Sequence, residues 1–188
     1  MDIPDVDVAE SVYDPAEDSY LFAENLRVKR GEKVLDMGTG SGILAIIAAK
    51  QGADVTAVDI NPRAIECARR KAQKSGVKIG FLESDLFENI KGKFDLITFN
   101  PPYVPTEPEE LKNIESTAWD GGEQGRKVII CFLKSAPKFL KPGGRILLMV
   151  SSLNDILNDL RRGFETKIVA EKPLFFERLY LVELIPKK

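Results

Sequence analysis

Short apolar and β-branched runs alternate with longer helix-like segments along most of this 188-residue chain, and that alternation constrains the fold most. The runs fall at Lys33–Met37, Val55–Asp59, Val77–Leu82, Phe94–Phe99 and Arg145–Val150. Between them, Ile43–Gln51, Pro62–Lys74, Arg126–Leu140 and Leu153–Arg162 have helical spacing. Parallel strands need long crossovers, and helices supply them. The pattern therefore predicts an α/β fold: a mostly parallel sheet with helices on both faces. The tail departs from it. Phe164–Glu171 and Arg178–Ile185 follow one another without an intervening helix, which predicts a hairpin and an antiparallel last strand.

Local chemistry marks several boundaries. Asn61-Pro62 offers an N-cap followed by proline at the first helical position. Ser75-Gly76 can end that helix with a positive φ. Lys141-Pro142-Gly143-Gly144 reads as a turn launching the next strand. Residues 101–125 carry prolines and glycine pairs with little periodicity, and a connection that long usually has a function.

Composition narrows the chemistry. The length fits one domain over residues 1–188, and 27 basic against 29 acidic residues give a net charge of −2. That balance argues against a nucleic-acid-binding surface. With two cysteines and no histidine, the chain alone offers no disulfide framework, no Cys/His metal site and no histidine triad. The longest apolar run, Gly42–Ala49, is far too short to span a bilayer, and the acidic start does not resemble a signal peptide. A cytoplasmic protein without a membrane contact or a metal is expected.

The segment Val34-Leu-Asp-Met-Gly-Thr-Gly-Ser-Gly42 runs a strand into a glycine turn and then a helix. Glycines at 38, 40 and 42 let the backbone turn tightly and approach a ligand closely. A dinucleotide fingerprint would need a glycine where Ile43 stands, so a nicotinamide dehydrogenase is disfavoured. Acids follow at successive strand ends: Asp36 just before the turn, Asp59 one βαβ step later, and Asp85 after the third run. In doubly wound sheets ligands bind at the carboxyl ends of strands. A carboxylate at Asp59 can accept from two ribose hydroxyls, and one at Asp85 from an adenine amino group. Together they describe an adenosine site.

The fourth run ends in Phe94-Asp-Leu-Ile-Thr-Phe-Asn100-Pro101-Pro102-Tyr103. Two prolines stop strand pairing and stiffen the turn. The Asn100 side-chain carbonyl and the carbonyls of Pro101 and Pro102 can hold both protons of a planar NH₂ group while the Tyr103 ring packs on its face. Such a nitrogen has a delocalised lone pair. Fixed carbonyl dipoles would stabilise the positive charge it gains on methylation, and no histidine base is required.

These motifs together resemble a class I S-adenosylmethionine-dependent methyltransferase, with a seven-stranded Rossmann-like sheet. Val12-Tyr-Asp-Pro-Ala-Glu-Asp-Ser19 and Ala118-Trp-Asp-Gly-Gly-Glu-Gln-Gly-Arg126 are similar to segments of the HemK/PrmC-like group, specifically its short archaeal and eukaryotic release-factor glutamine methyltransferases. The resemblance implies cofactor contacts at Ser19, Asp36, Gly38, Gly40, Asp59, Asp85, Leu86 and Asn100, with residues 1–30 covering substrate and cofactor. It implies that Asn100–Tyr103 receive the glutamine of a release-factor Gly-Gly-Gln motif, and that a small zinc-binding activator protein takes part. The helical substrate-binding domain of bacterial members is not expected here. Rivals are an adenine or guanine amino methyltransferase acting on DNA or RNA, and a non-catalytic cofactor-binding module.

Other residues have plainer readings. Cys67 and Cys131 are expected in the core, and Arg69-Arg70-Lys71 on a solvated helix face. Trp119 fits equally a substrate cover or a core seal. Phe175-Phe176 is expected in a buried hairpin loop rather than on an exposed partner surface, and Lys187-Lys188 in a solvated tail.

Overall fold

The computed structural model describes residues 16–102 and 126–187. In chain order it contains α1 (Glu17–Asn25), β1 (Lys33–Met37), α2 (Ile43–Lys50), β2 (Asp54–Asp59), α3 (Pro62–Lys74), β3 (Gly80–Glu83) and β4 (Phe94–Phe99). Then come α4 (Lys127–Ser135), β5 (Leu140–Ser151), α5 (Leu157–Gly163), β6 (Phe164–Pro173) and β7 (Arg178–Pro186). The seven strands form one sheet in the order β3-β2-β1-β4-β5-β7-β6. Pairings from β3 through β5 are parallel, while β7 runs antiparallel to both neighbours.

Right-handed crossovers put α2 and α3 on one face of this sheet and α4 and α5 on the other. Strands in the middle are therefore covered twice, which explains their unbroken apolar runs: Val34, Leu35 and Met37 of β1 and Leu96, Ile97 and Phe99 of β4 are all buried. Helix α3 starts as its sequence dictates, with the Asn61 side chain accepting from the Arg63 N–H at 2.9 Å and proline at the first turn. The sheet's other end, at the amino termini of the parallel strands, is pinned by charge. Asp95 accepts from the Lys33 N–H at 2.8 Å and from Lys141 Nζ at 2.6 Å, and Arg145 donates to Glu32 at 2.8 Å. Lys141 and the Lys33 amide hold the Asp95 carboxyl below its ordinary range. Burial alone would raise Glu32, but its bonds and charge contact with Arg145, aided by the Lys29 N–H, bring it below the usual value.

Several elements differ from the sequence pattern. Helix α1 carries no strong periodicity and was not anticipated; it buries Leu21, Phe22 and Ala23. β3 begins at Gly80 rather than Val77. The expected Arg126–Leu140 helix ends at Ser135, because Pro137 converts its last turn to a 3₁₀ turn over Ala136–Phe139. Pro142-Gly143-Gly144 does not precede β5 but bulges from it: Phe94 pairs with Leu140 and Leu96 with Arg145, so residues 141–144 stand opposite Asp95 alone. The helix expected over Leu153–Arg162 is split by Asp155, whose φ is 45°, into a 3₁₀ turn and the shorter α5.

Two burial expectations fail. Cys67 is buried, but Cys131 is exposed, because α4 turns Ile129 and Phe132 inward and 131 falls on the opposite face. Phe175 and Phe176 are 94% and 85% exposed. Their turn closes tightly, the Leu174 N–H donating to the Glu177 carbonyl at 2.8 Å, and its two central side chains project beyond the layers that could cover them. No helix among the described residues is long and apolar enough to cross a membrane.

Candidate active site

Strand order reverses between β1 and β4, opening a crevice at the carboxyl ends of the parallel strands. The glycine turn, Asp59, the Asp85 loop and Asn100 all lie at that edge, each at or just after the end of a different strand.

The glycine turn is left-handed at alternate positions, with φ of 62° at Gly38, 51° at Gly40 and 83° at Gly42. The last two serve different ends. A Cβ on Gly42 would lie 2.8 Å from Ala68 Cβ, so this glycine lets α2 pack against α3. A Cβ on Gly40 would meet nothing nearer than 4.0 Å, which leaves that part of the turn open to a ligand.

Two acids hold the turn in shape. Asp36, 1% exposed, accepts from the hydroxyls of Thr39 and Thr98, both at 2.7 Å. Burial pushes its carboxyl up to about 6, against the lowering effect of these two hydroxyls. Both oxygens are thus engaged inside the protein, tying the turn to β4 rather than opening onto the crevice. Asp59 accepts from the Gly40 N–H and from the Asn61 N–H, each at 2.9 Å, one on each oxygen. Burial raises its carboxyl as well, opposed by those backbone donors. The Ile60 N–H also contributes, and the carboxylate keeps acceptor capacity for an outside hydroxyl.

After β3, Ser84 is buried and organises a small loop: its hydroxyl donates to the Leu86 carbonyl at 3.0 Å and accepts from the Asn89 N–H at 3.0 Å. This holds Leu86 at a φ of 45°, a strained setting for a leucine, while Asp85 is exposed beside it. No bond links Asp85 or Leu86 to the other site residues among those described. Their loop borders the far side of the crevice, where an extended ligand would end.

Asn100 stands at the centre. Its Nδ2 donates to Asp18 Oδ2 at 2.9 Å and lies 3.4 Å from Ser19 Oγ, both on the first turn of α1. Its Oδ1 is buried and has no hydrogen-bond partner among the described residues. A buried carbonyl left unpaired is costly and points to a donor supplied from outside. Pro101 is buried and Pro102 half-buried. Tyr103 and Trp119 lie outside the described residues. Below the site, Phe99 packs on Phe132 with ring centroids 4.5 Å apart, and Phe87 stacks between Phe132 and Phe139, so the Asn100 and Asp85 loops share a stiff aromatic floor.

The structure thus joins Gly40 to Asp59 and Ser19 to Asn100. Three supporting residues escaped the sequence reading: Asp18, Thr39 and Thr98. The signal for Thr98 was present, since a hydroxyl in a strand covered on both faces must find a partner. Asp18 could be recognised only once α1 was placed beside β4. No group of three or more candidate metal ligands occurs among the described residues.

An open sheet of this order, with a glycine turn after β1 and acids at the ends of β1 and β2, is the architecture of a class I methyltransferase. Comparison with known proteins agrees. The profile of the methyltransferase small-domain family matches residues 10–176. A protein of Methanocaldococcus jannaschii, provisionally named a protein N5-glutamine methyltransferase, is 43% identical over 91% of this chain and 90% of its own. The release factor glutamine methyltransferase of Geobacter sulfurreducens is 34% identical over 92% of this chain and 66% of its own. Among solved structures, the E. cuniculi Mtq2–Trm112 complex, responsible for methylating the termination factor eRF1, matches with a TM-score of 0.74 and 26% identity over 94% of this chain and 99% of that one. The chain belongs to the methyltransferase small-domain family, and it is a methyltransferase of the HemK/PrmC-like group.

Proposed function

We propose that this protein transfers the methyl group of S-adenosylmethionine to the side-chain amide of the glutamine in a release-factor Gly-Gly-Gln motif. The observation that carries the reading is the buried Oδ1 of Asn100, unpaired among the described residues, beside two prolines where the strand order reverses. It is an acceptor placed for an N–H, which suits an amide substrate. The names of the relatives support the same class of acceptor.

The residues fit the cofactor. Asp59 would receive the ribose hydroxyls on its remaining lone pairs, Gly40 leaves room for close approach, and the Asp85–Leu86 loop would border the adenine. Gly38 and Ser19 would hold the methionine end, and Asp36 acts by shaping the turn. Once bound, S-adenosylmethionine supplies an electrophilic methyl on a sulfonium.

Asn100 Oδ1 would accept one amide N–H of the substrate and the Pro101 carbonyl the other, while Pro102 keeps the turn rigid; that Tyr103 packs on the amide face is the expectation from sequence, on a residue outside those described. The nitrogen would gain positive charge as its N–CH₃ bond forms and the S–CH₃ bond breaks, the electron pair staying on sulfur as a neutral thioether leaving group; these dipoles, already oriented, would stabilise that charge. The methylated nitrogen is then acidic enough to lose its proton to water, so no titrating base is needed. A release-factor substrate would be met in the cytoplasm, and that is the location this reading supports. The Mtq2–Trm112 complex supports a small activator partner here too; that the activator binds zinc follows from the family resemblance alone.

Labelled methyl transfer tests the reading, with three acceptors offered alongside the activator: a cognate release factor, its Gly-Gly-Gln glutamine-to-alanine variant, and genomic DNA. Label is expected on the first only. Label on DNA but not on the release factor would transfer the site to the nucleic-acid amino methyltransferases.

A further inference from the structure

The geometry points to Asp18 as the positioning residue that decides which end of the Asn100 amide meets the substrate, a role that rests on the amide-transfer reading above. An asparagine amide has two ends of nearly equal size and opposite polarity, one accepting and one donating. Packing cannot distinguish them; only the hydrogen-bond partner can. If NH₂ were turned toward the substrate, it would repel the substrate's own N–H groups and the charge that grows on its nitrogen.

Asp18 resolves the choice. Its Oδ2 lies 2.9 Å from Asn100 Nδ2, and a carboxylate oxygen takes a donor, never another acceptor. The neighbouring Ser19 hydroxyl, at 3.4 Å, can donate or accept and cannot discriminate. Asp18 is itself fixed: it is 4% exposed, and its Oδ1 accepts from the Ser19 N–H at 2.7 Å. The helix that carries it is anchored by Phe22 and Leu26, both fully buried. The consequence is visible in the structure. With Nδ2 drawn to Asp18, Oδ1 is turned away from the carboxylate and has no partner among the described residues.

Asp18→Asn tests this with an isosteric change. The new amide can accept from Asn100 or donate to it, so shape survives while direction is lost. With activator and release factor, kcat is expected to fall about tenfold, the range of one lost directional bond. Cofactor affinity and the KM for release factor should stay within about threefold. In an Asn100→Ala background, Asp18→Asn should have no further effect, because there is no amide left to orient. A kcat equal to wild type, or an equal loss in both backgrounds, would overturn the assignment.

A second readout needs no substrate. By NMR, the Asn100 side-chain NH₂ should exchange slowly with water in the wild-type protein and about tenfold faster in Asp18→Asn. Unchanged exchange would refute the orienting role. If the wild-type enzyme places no methyl on the release factor, the substrate reading fails, and the exchange rates still decide the role of Asp18.

Discussion

Asp36→Asn separates the cost of burying a charge from the benefit of the bonds that hold it. In the folded protein the carboxyl is pushed up to about 6 from an ordinary 3.8, chiefly by burial. Between those values the folded chain keeps its proton while the unfolded chain has lost it, so this group makes the protein less stable as pH rises through the window. The full shift corresponds to about 3 kcal/mol, and roughly half of it develops between pH 5 and pH 7.5. Glu32 and Asp95 are held below their ordinary values of 4.5 and 3.8 and lose their contribution only at lower pH, outside this interval. Asp59 is raised too and adds to the slope in both proteins, and its charge is one of the causes that raise Asp36. Asparagine keeps the shape, and Thr39 and Thr98 can turn their hydroxyls to pair with it. Urea unfolding of both proteins at pH 5, 6 and 7.5 provides the test. The advantage of Asp36→Asn over wild type should grow by about 1 to 2 kcal/mol from pH 5 to 7.5. Parallel curves would show that Asp36 titrates alike in both states, and the burial argument would fail.

Three further outcomes follow from the same structure. Asp59→Ala removes the carboxylate proposed to receive the ribose and the tie to Gly40, so calorimetry should show S-adenosylmethionine binding about 10- to 100-fold more weakly; unchanged affinity would contradict the ribose assignment. Gly42→Ala forces a side chain into a left-handed position with a 2.8 Å approach to Ala68, and should cost about 2 kcal/mol or more in chemical unfolding. Paired Phe175→Ser and Phe176→Ser changes should leave stability within about 0.5 kcal/mol, since this edge-to-face pair is almost wholly exposed; a loss above about 1 kcal/mol would mean the rings are covered in solution.

The sheet was legible because its signals are local. A run such as Val34-Leu-Asp-Met or Leu96-Ile-Thr-Phe allows little but a doubly covered strand, and the hairpin at the end of the chain announced itself by lacking a helix. The glycine turn, Asp59 and Asn100 were legible for the same reason, each following a strand directly. What could not be read needed contacts between distant residues. Asp18 and Asn100 stand far apart in sequence and meet only because α1 folds against the carboxyl edge of the sheet. Asp36 was expected to face a ligand, and nothing local revealed that Thr39 and Thr98 would engage both its oxygens. The exposure of Phe175 and Phe176 likewise depends on what lies above the turn, which apolar character alone does not tell.

The central claim is that the Asn100 carbonyl receives a substrate amide. The most direct measurement is tandem mass spectrometry of a release factor after incubation with enzyme, activator and saturating S-adenosylmethionine, comparing wild type with Asn100→Ala. The account predicts one methyl on the side-chain nitrogen of the Gly-Gly-Gln glutamine, formed at least about 100-fold more slowly by the variant. A methyl on another residue, or equal rates from the two enzymes, would contradict it.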